Sequence, residues 1–412
     1  MHSQIQPVTS QGRIQLLDLL RGFALFGILM VNMPLFNNPH TIIFGNYSIW
    51  TDETSQQALW FIRFLFEGKF YILFSLLFGM GFQLFLQKAD ENGLLLKTYR
   101  RRLLILLLIG ALHVVLLWVG DILVWYALFG LLMTVFRKKS NRTLLKWSIG
   151  FLSIPIVLTF LMLLMGFISG NIPEAAEQMA ESFKQQHQFR QQISAQAYET
   201  YATGTFTQIV AFRLLEYSQL LPGLFFFYPN TIAMFLLGMV FIRKGYIIQP
   251  EAHATFYRRM LAIGLPIGLL GSFAMAQIIK GTDPTQLSWL ALLQMAGHSI
   301  GGVFLGLSYM CLIAFWMQKQ ILQALKHAIG CAGRMALSNY LMQSVIVTTL
   351  AFSYGFGLYG KISPLHGIFL TVLIYVFQLF FSVIWLSKFK YGPMEWLWRS
   401  LTYGRKFALK KE

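Results

Sequence analysis

Leu16–Phe36 reads LLDLLRGFALFGILMVNMPLF. About 20 apolar residues cross a hydrocarbon core roughly 30 Å thick, so this run is long enough to span a membrane. Yet it carries Asp18, Arg21 and Asn32. An ionised group in a membrane helix costs about 2.5–3.5 kcal/mol on insertion scales, so such groups face a protein interior or a polar cavity. At about 100° per residue, Arg21 and Asn32 return to nearly the same helix face, roughly 16 Å apart along the axis. One face thus offers a cation toward one membrane surface and an amide toward the other, the pattern of a site or of the lining of a path.

The rest of the chain keeps this character. Of 412 residues, 56% are hydrophobic and 12% charged, against about 25% charged in soluble domains. The mean hydropathy is +0.58. The net charge of +17 does not point to nucleic acid, because the basic residues punctuate apolar runs instead of forming one stripe. The first run is too long for a cleavable signal and no small-residue cleavage site follows it, so it reads as the first span. Cys311 and Cys331 belong to no CxxC pair and have no His at metal-binding spacing, which makes them inert thiols.

Hydropathy and breaker residues predict an all-α, polytopic integral membrane protein of about ten transmembrane helices, near 16–36, 69–86, 103–118, 122–136, 148–169, 222–242, 260–279, 289–317, 336–356 and 366–386. Gly120-Asp121 breaks the third from the fourth and makes them a helical hairpin. Basic clusters fall in alternate connections: Arg13; Lys88, Lys97 and Arg100–Arg102; Arg137–Lys146; Arg243–Arg259; Lys319, Lys326 and Arg334; and the tail from Lys388 to Lys411. Outside the amphipathic runs that carry Arg63 and Arg213, the other connections hold Lys184, Arg190, Lys280 and Lys361. The positive-inside rule then puts both termini in the cytoplasm and the protein in the cytoplasmic membrane. Residues 1–15 form a cytoplasmic segment, 16–386 one membrane domain, and 387–412 a basic, aromatic tail expected to rest on the inner leaflet. The outer segment 170–205 is polar and helix-prone, and reads as a spacer or as a lid. Ser55–Glu67 and Phe206–Leu221 look amphipathic and interfacial.

Polar residues within the spans sort by depth. Asp18, Arg21, Arg334, Ser338, Asn339 and Gln343 lie toward the inner end; Asn339 and Gln343 share one face, a turn apart. Toward the outer end lie Asn32, His40, Glu67, Lys69, His113, Asp121, His298 and His366. A His113–Asp121 pair would make an oriented general base, although contact needs the hairpin break to bring them together. Structural roles stay open beside these: Asp18 as a helix cap or partner of Arg21, Arg21 reaching lipid phosphate, and His298 among packing glycines in GHSIGGVFLG. No Walker loop, GxSxG elbow, HExxH or metal-spaced His/Cys cluster is present.

Five segments, LLDLLRGFALFGILMVN, EGKFYILFSLLFGMGF, GALHVVLLWVGDILVWYALFGLL, GRMALSNYLMQS and YGPMEWLWRSLTY, together resemble the YeiB-like bacterial membrane proteins, a family defined by domains of unknown function. More distantly, the Arg21-Gly22 pair followed on the same helix by Asn32 is similar to the opening helix of transmembrane acyltransferases. These include the heparan-alpha-glucosaminide N-acetyltransferases, which pass acetyl from cytosolic acetyl-CoA to a lumenal amino sugar. In those that O-acylate surface sugars, the later residue is a catalytic His, which Asn32 cannot replace as a base.

The resemblance implies a membrane acyltransferase taking an acyl group, acetyl above all, from cytoplasmic acyl-CoA to an extracytoplasmic hydroxyl or amine of an envelope glycan or lipid. The expected catalytic residues are His113, Asp121 and Asn32, with His298 and then His40 as alternative bases. The expected substrate-binding residues are Arg21, Asp18, Lys69, Arg334, Asn339, Gln343 and His298; no metal is implied. The rival readings are a transporter or channel for a small solute or lipid precursor, and a non-catalytic envelope scaffold.

Overall fold

A computed structural model of the chain describes residues 14–40, 49–87, 94–281 and 288–411. Arg13 and Lys88 of the basic clusters, and nearly all of segment 1–15, lie outside the described residues. Among those described, every regular element is helical; extended pairing is limited to one isolated antiparallel bridge, Phe389 with Lys410. An apolar chain in lipid must satisfy each backbone N–H and C=O within its own segment, which helices do.

In chain order come α1 (Gln15–Phe36), α2 (Glu53–Leu65), α3 (Phe70–Leu86), α4 (Leu94–Leu116), α5 (Leu123–Phe136), α6 (Asn141–Gly170), α7 (Pro173–Thr203), α8 (Phe206–Leu220) and α9 (Tyr228–Arg243). There follow α10 (Ala254–Arg259), α11 (Leu265–Gly281), α12 (Leu290–Ala296), α13 (Gly302–Gln318), α14 (Gln323–Arg334), α15 (Ala336–Ala351), α16 (Pro364–Lys388) and α17 (Pro393–Tyr403). Two π-helical turns, Met260–Gly264 and Gly297–Gly301, join α10 to α11 and α12 to α13.

Each of the apolar runs read from the sequence is largely helical. Among the described residues, six helical stretches are long and apolar enough to cross a membrane: Gln15–Phe36, Glu53–Leu86, Asn141–Gly170, Glu251–Gly281, Leu290–Gln318 and Pro364–Lys388. A seventh results if the α8 and α9 pair, bent by 68°, counts as one span. The helices α4, α5 and α15 do not meet both conditions. The second stretch is longer than expected, because α2 runs on toward α3 through a break at Gly68, whose φ is +86°. Ser55, Ala58, Leu59 and Ile62 are the buried face of α2, the spacing of an amphipathic helix.

The main apolar core lies among α1, α3, α4, α5, α9 and α13. At its centre α3 and α9 touch backbone to backbone. A Cβ on Gly79 would stand 2.0 Å from the Phe235 carbonyl oxygen, and one on Gly238 would stand 2.2 Å from that of Leu76. Only glycine allows this approach, which supplies the dispersion contact that holds helices together where lipid is as apolar as the side chains.

The two ends of the bundle are closed differently. At one end Leu29, Met33 and Phe36 of α1 pack with Trp118, with Val347 and Ala351 of α15, and with Ile193, Ala197 and Tyr201 of α7. The polar segment 170–205 is therefore one continuous helix whose second half is docked. At the other end α17 packs on α4 and α15 instead of lying apart from the bundle. The Trp398 indole donates to the Arg102 carbonyl oxygen (2.8 Å), and the Arg102 guanidinium sits 3.7 Å from the Trp398 ring centre. Glu395 accepts from the backbone N–H groups of Leu337 (2.7 Å) and Ser338 (3.1 Å), and from the Ser338 hydroxyl (2.5 Å). Burial raises the Glu395 carboxyl above the usual range, against the pull of those hydrogen bonds.

Removing that acceptor leaves the first N–H groups of α15 buried and unpaired, at about 1–3 kcal/mol. E395A is expected to lower the thermal midpoint in detergent accordingly and to open the tail to protease, while Gly79→Val should abolish recovery of folded protein.

Candidate functional site

The α4–α5 hairpin builds the first cluster. Helix α4 ends just past His113, whose carbonyl oxygen receives the N–H groups of both Leu117 (2.9 Å) and Trp118 (3.0 Å). The chain then reverses through Gly120 and brings Asp121 back over the helix end. Asp121 Oδ1 accepts the Val124 N–H at 2.7 Å and so caps α5. Its Oδ2 lies 2.9 Å from His113 Nδ1, out of line for a hydrogen bond but in full electrostatic contact. On the far side of the ring, His113 Nε2 is 2.8 Å from Ser344 Oγ of α15. Tyr340, one turn back from Ser344, places its ring centre 5.2 Å from that of His113 and donates at 3.3 Å to the Gly120 carbonyl oxygen.

This is a carboxylate–imidazole–hydroxyl chain across three helices, with His113, Asp121 and Ser344 at 2%, 6% and 1% exposure. A carboxylate at Nδ1 favours the tautomer with its proton on that nitrogen and leaves Nε2 as acceptor. It also stabilises the imidazolium formed when Nε2 takes a proton.

A second imidazole–carboxylate pair lies beside the first. The buried His40 donates its backbone N–H to Glu216 Oε1 (2.9 Å) and holds Nδ1 3.6 Å from the same oxygen. The Tyr201 hydroxyl donates to Glu216 Oε2 at 2.7 Å. On the same helix α8, the fully buried Arg213 donates to the Val115 carbonyl oxygen (2.6 Å), and its Nε and Nη2 have no hydrogen-bond partner among the described residues. Trp118 bridges the two pairs, 5.3 Å from the His40 ring and stacked at 3.8 Å on Phe36.

The remaining expected residues are dispersed. Arg21 reaches Asp18 at 3.2 Å, at the α17 end of the bundle, where a Cβ on Gly81 of α3 would stand 3.8 Å from its guanidinium. Asn32 is half-buried on α1 and makes no hydrogen bond among the described residues. Asn339 donates to the Ala332 carbonyl oxygen and to Ser382 Oγ (3.0 Å each), and Gln343 donates to Gln378 Oε1 (2.9 Å). Their amides join α15 to α14 and α16. Arg334 stands in the last turn of α14. Lys69 is buried and donates to the Arg63 carbonyl oxygen (2.8 Å) at the end of α2, while Glu67 faces Arg63 at 4.0 Å. His298 sits in a π-helical turn, 3.1 Å from the Tyr71 hydroxyl; Asn230 links Tyr71 to Ser299. Arg21 bonds Asp18 and His113 meets Ser344, and among the described residues no group of His, Cys, Asp and Glu is placed to hold a metal ion. Cys331 does have a His neighbour, contrary to expectation: His327 Nε2 stands 3.5 Å from its Sγ, one turn away on α14.

Ser344, Glu216, Arg213 and Tyr201 are functional candidates that sequence reasoning missed. Arg213 and Glu216, a charged pair one turn apart within an otherwise apolar run, were the available signal for α8. Ser344 had none, since a serine in a helix is commonplace.

The family model described as a protein of unknown function (DUF418) matches residues 241–405. The uncharacterized protein YxaH of Bacillus subtilis (strain 168) is 33% identical over 97% of each chain. The chain belongs to the YeiB-like family of unknown function. The uncharacterized protein YeiB of Escherichia coli (strain K12) is 30% identical over 94% of this chain and 95% of its own. An uncharacterized 39.9 kDa protein from an amylase 3′ region of Bacillus acidopullulyticus is 30% identical over 99% of both chains. No solved structure matches. Ser344 and Glu395 fall inside the DUF418 match and His113 and Asp121 before it, so this YeiB-like site draws on both parts of the chain.

Asp121 both caps α5 and faces His113, and the two roles are separable. Asn caps as well as Asp, whereas Ala loses about 0.5–2 kcal/mol. D121A is therefore expected to unfold several degrees earlier than D121N in a detergent melt.

Proposed function

We propose that this protein is a transmembrane acyltransferase of the cytoplasmic membrane, moving an acyl group from acyl-CoA to an extracytoplasmic hydroxyl or amine. In this reading the chain crosses the bilayer ten times with both termini in the cytoplasm. The α17 end of the bundle then faces the cytosol, and the end covered by α7 faces outward. The single observation that carries the proposal is the buried Asp121–His113–Ser344 chain. A buried carboxylate and imidazole cost several kcal/mol to desolvate, and this pair spends that cost on orienting a base.

His113 removes the acceptor proton at Nε2, and Asp121 stabilises the resulting imidazolium. Asn32 polarises the acyl carbonyl. On the cytoplasmic side Arg21 takes a coenzyme A phosphate, since a guanidinium pairs readily with phosphate oxygens. Arg102 and Arg399 add positive charge there, as Arg21 and Arg399 are both electrostatic neighbours of Arg102. An envelope glycan or lipid headgroup is the acceptor class. A second reading, solute transport, is favoured by the helix break at Gly68 beside the buried Lys69 and by the π-helical turn at His298, since interrupted spans line transport sites.

Purified protein in liposomes, given labelled acetyl-CoA and envelope extract, is expected to release coenzyme A and label the extract. A general base contributes about 100- to 10,000-fold, so H113A should lose at least the lower figure while eluting as folded protein. Solute uptake with no coenzyme A release would favour transport instead. A cysteine placed in the tail near Lys410 should react with a membrane-impermeant thiol reagent only after the cells are opened.

A further inference from the structure

Serine and threonine hydroxyls inside helices ordinarily turn back to a carbonyl one turn earlier. Several here do so: Ser75 to Tyr71 (2.6 Å), Ser308 to Phe304 (2.7 Å), Thr349 to Val345 (2.7 Å) and Thr371 to Gly367 (2.8 Å). Ser344 does not. The one hydrogen bond of its hydroxyl among the described residues leaves α15 altogether and meets His113 Nε2 at 2.8 Å. The opposite nitrogen of that ring faces the Asp121 carboxylate at 2.9 Å. A nucleophile within hydrogen-bond reach of a base, itself oriented by a third group, is the arrangement that activates a weak hydroxyl. We propose that Ser344 is the nucleophile of the acyl-transfer reaction and carries the acyl group as an oxygen ester between two half-reactions. The inference rests on the acyltransferase reading and deepens it.

In the first half-reaction Ser344 Oγ attacks the thioester carbonyl carbon while His113 Nε2 takes the hydroxyl proton. The new C–O bond forms, the C–S bond breaks, and the leaving sulfur takes the proton from His113 and departs as the free thiol. In the second, the acceptor hydroxyl or amine gives its proton to Nε2 and attacks the Ser344 ester. The C–O bond to Ser344 breaks, and its oxygen recovers the proton. Nothing is oxidised or reduced, and the imidazole ends as it began. The Tyr340 phenol stands one turn away on the same helix, beside the imidazole. Its 3.3 Å bond to the Gly120 carbonyl oxygen is long and can be exchanged for one to the negative oxygen of either tetrahedral intermediate. A two-step route also explains how one buried site serves a cytoplasmic donor and an external acceptor: the two substrates need not occupy it together.

The test uses the full-length protein in nanodiscs with acetyl-CoA, with and without hydroxylamine as a small neutral acceptor. Without acceptor, the expected result is a burst of coenzyme A near one equivalent per protein, and an acetyl mass on the peptide containing Ser344. S344A should lose the burst and the mass, and its hydroxylamine-dependent release should fall at least about 100-fold. S344C, which keeps a nucleophile of similar size, should instead carry a hydroxylamine-sensitive thioester. If coenzyme A is released with hydroxylamine but without burst or adduct, or if S344A keeps that release, the covalent role is overturned and the acyltransferase reading stands. If the folded wild type releases no coenzyme A under either condition, both fail.

Discussion

Asp121 divides its two carboxylate oxygens between two tasks, and the arrangement around His113 follows from that division. One oxygen ends the search of the α5 N-terminus for an acceptor, and the other is thereby aimed at the imidazole. Neither contact could be placed so firmly without the other. A lone carboxylate in this apolar setting would carry a desolvation cost with no charge or donor to offset it, and a lone imidazole would keep both tautomers. Joined by the turn at Gly120, they fix each other, and the α15 hydroxyl completes the row.

The rest of the bundle applies the same economy to its other polar groups. Across α15 and α16 the Asn339 amide bonds Ser382, the Gln343 amide bonds Gln378, and the Gln378 amide donates to the Asn339 carbonyl oxygen. Tyr71, Tyr126, Asn230, Ser75 and Ser299 do likewise around α3, α5 and α9. In a medium without water each unpaired group would cost several kcal/mol, so polar side chains gather where helices meet. The His40–Glu216 pair follows this rule except at one atom: the buried His40 Nε2 has no hydrogen-bond partner among the described residues.

Hydropathy alone marked the helices, because the cost of exposing apolar residues is a local property. It located α1, α3, α5, α16 and the stretch from α12 through α13 to within about two residues, and α6 and α11 less closely. The hairpin at Gly120-Asp121 was also legible, since both residue types favour a chain reversal. What could not be read was pairing at a distance. Nothing in the letters around Ser344 tells that its hydroxyl meets His113, or that Glu216 lies under His40. Asn339 and Gln343 show the converse: their shared face was evident, but their partners on α16 were not, and those partners turn an apparent binding surface into a helix joint. Arg21 and Asn32 do share α1, and the partner of Arg21 is Asp18 on the same helix, a pairing that the spacing already allowed.

The clamp of Glu395 on α15 has a consequence for biosynthesis. The residue that satisfies the first N–H groups of α15, and the indole that rests on Arg102 of α4, both belong to α17 near the end of the chain. Helices α4 and α15 must therefore wait, with those positions hydrated or unpaired, until α17 has been made. That end of the bundle therefore closes only once α17 has joined helices made long before it.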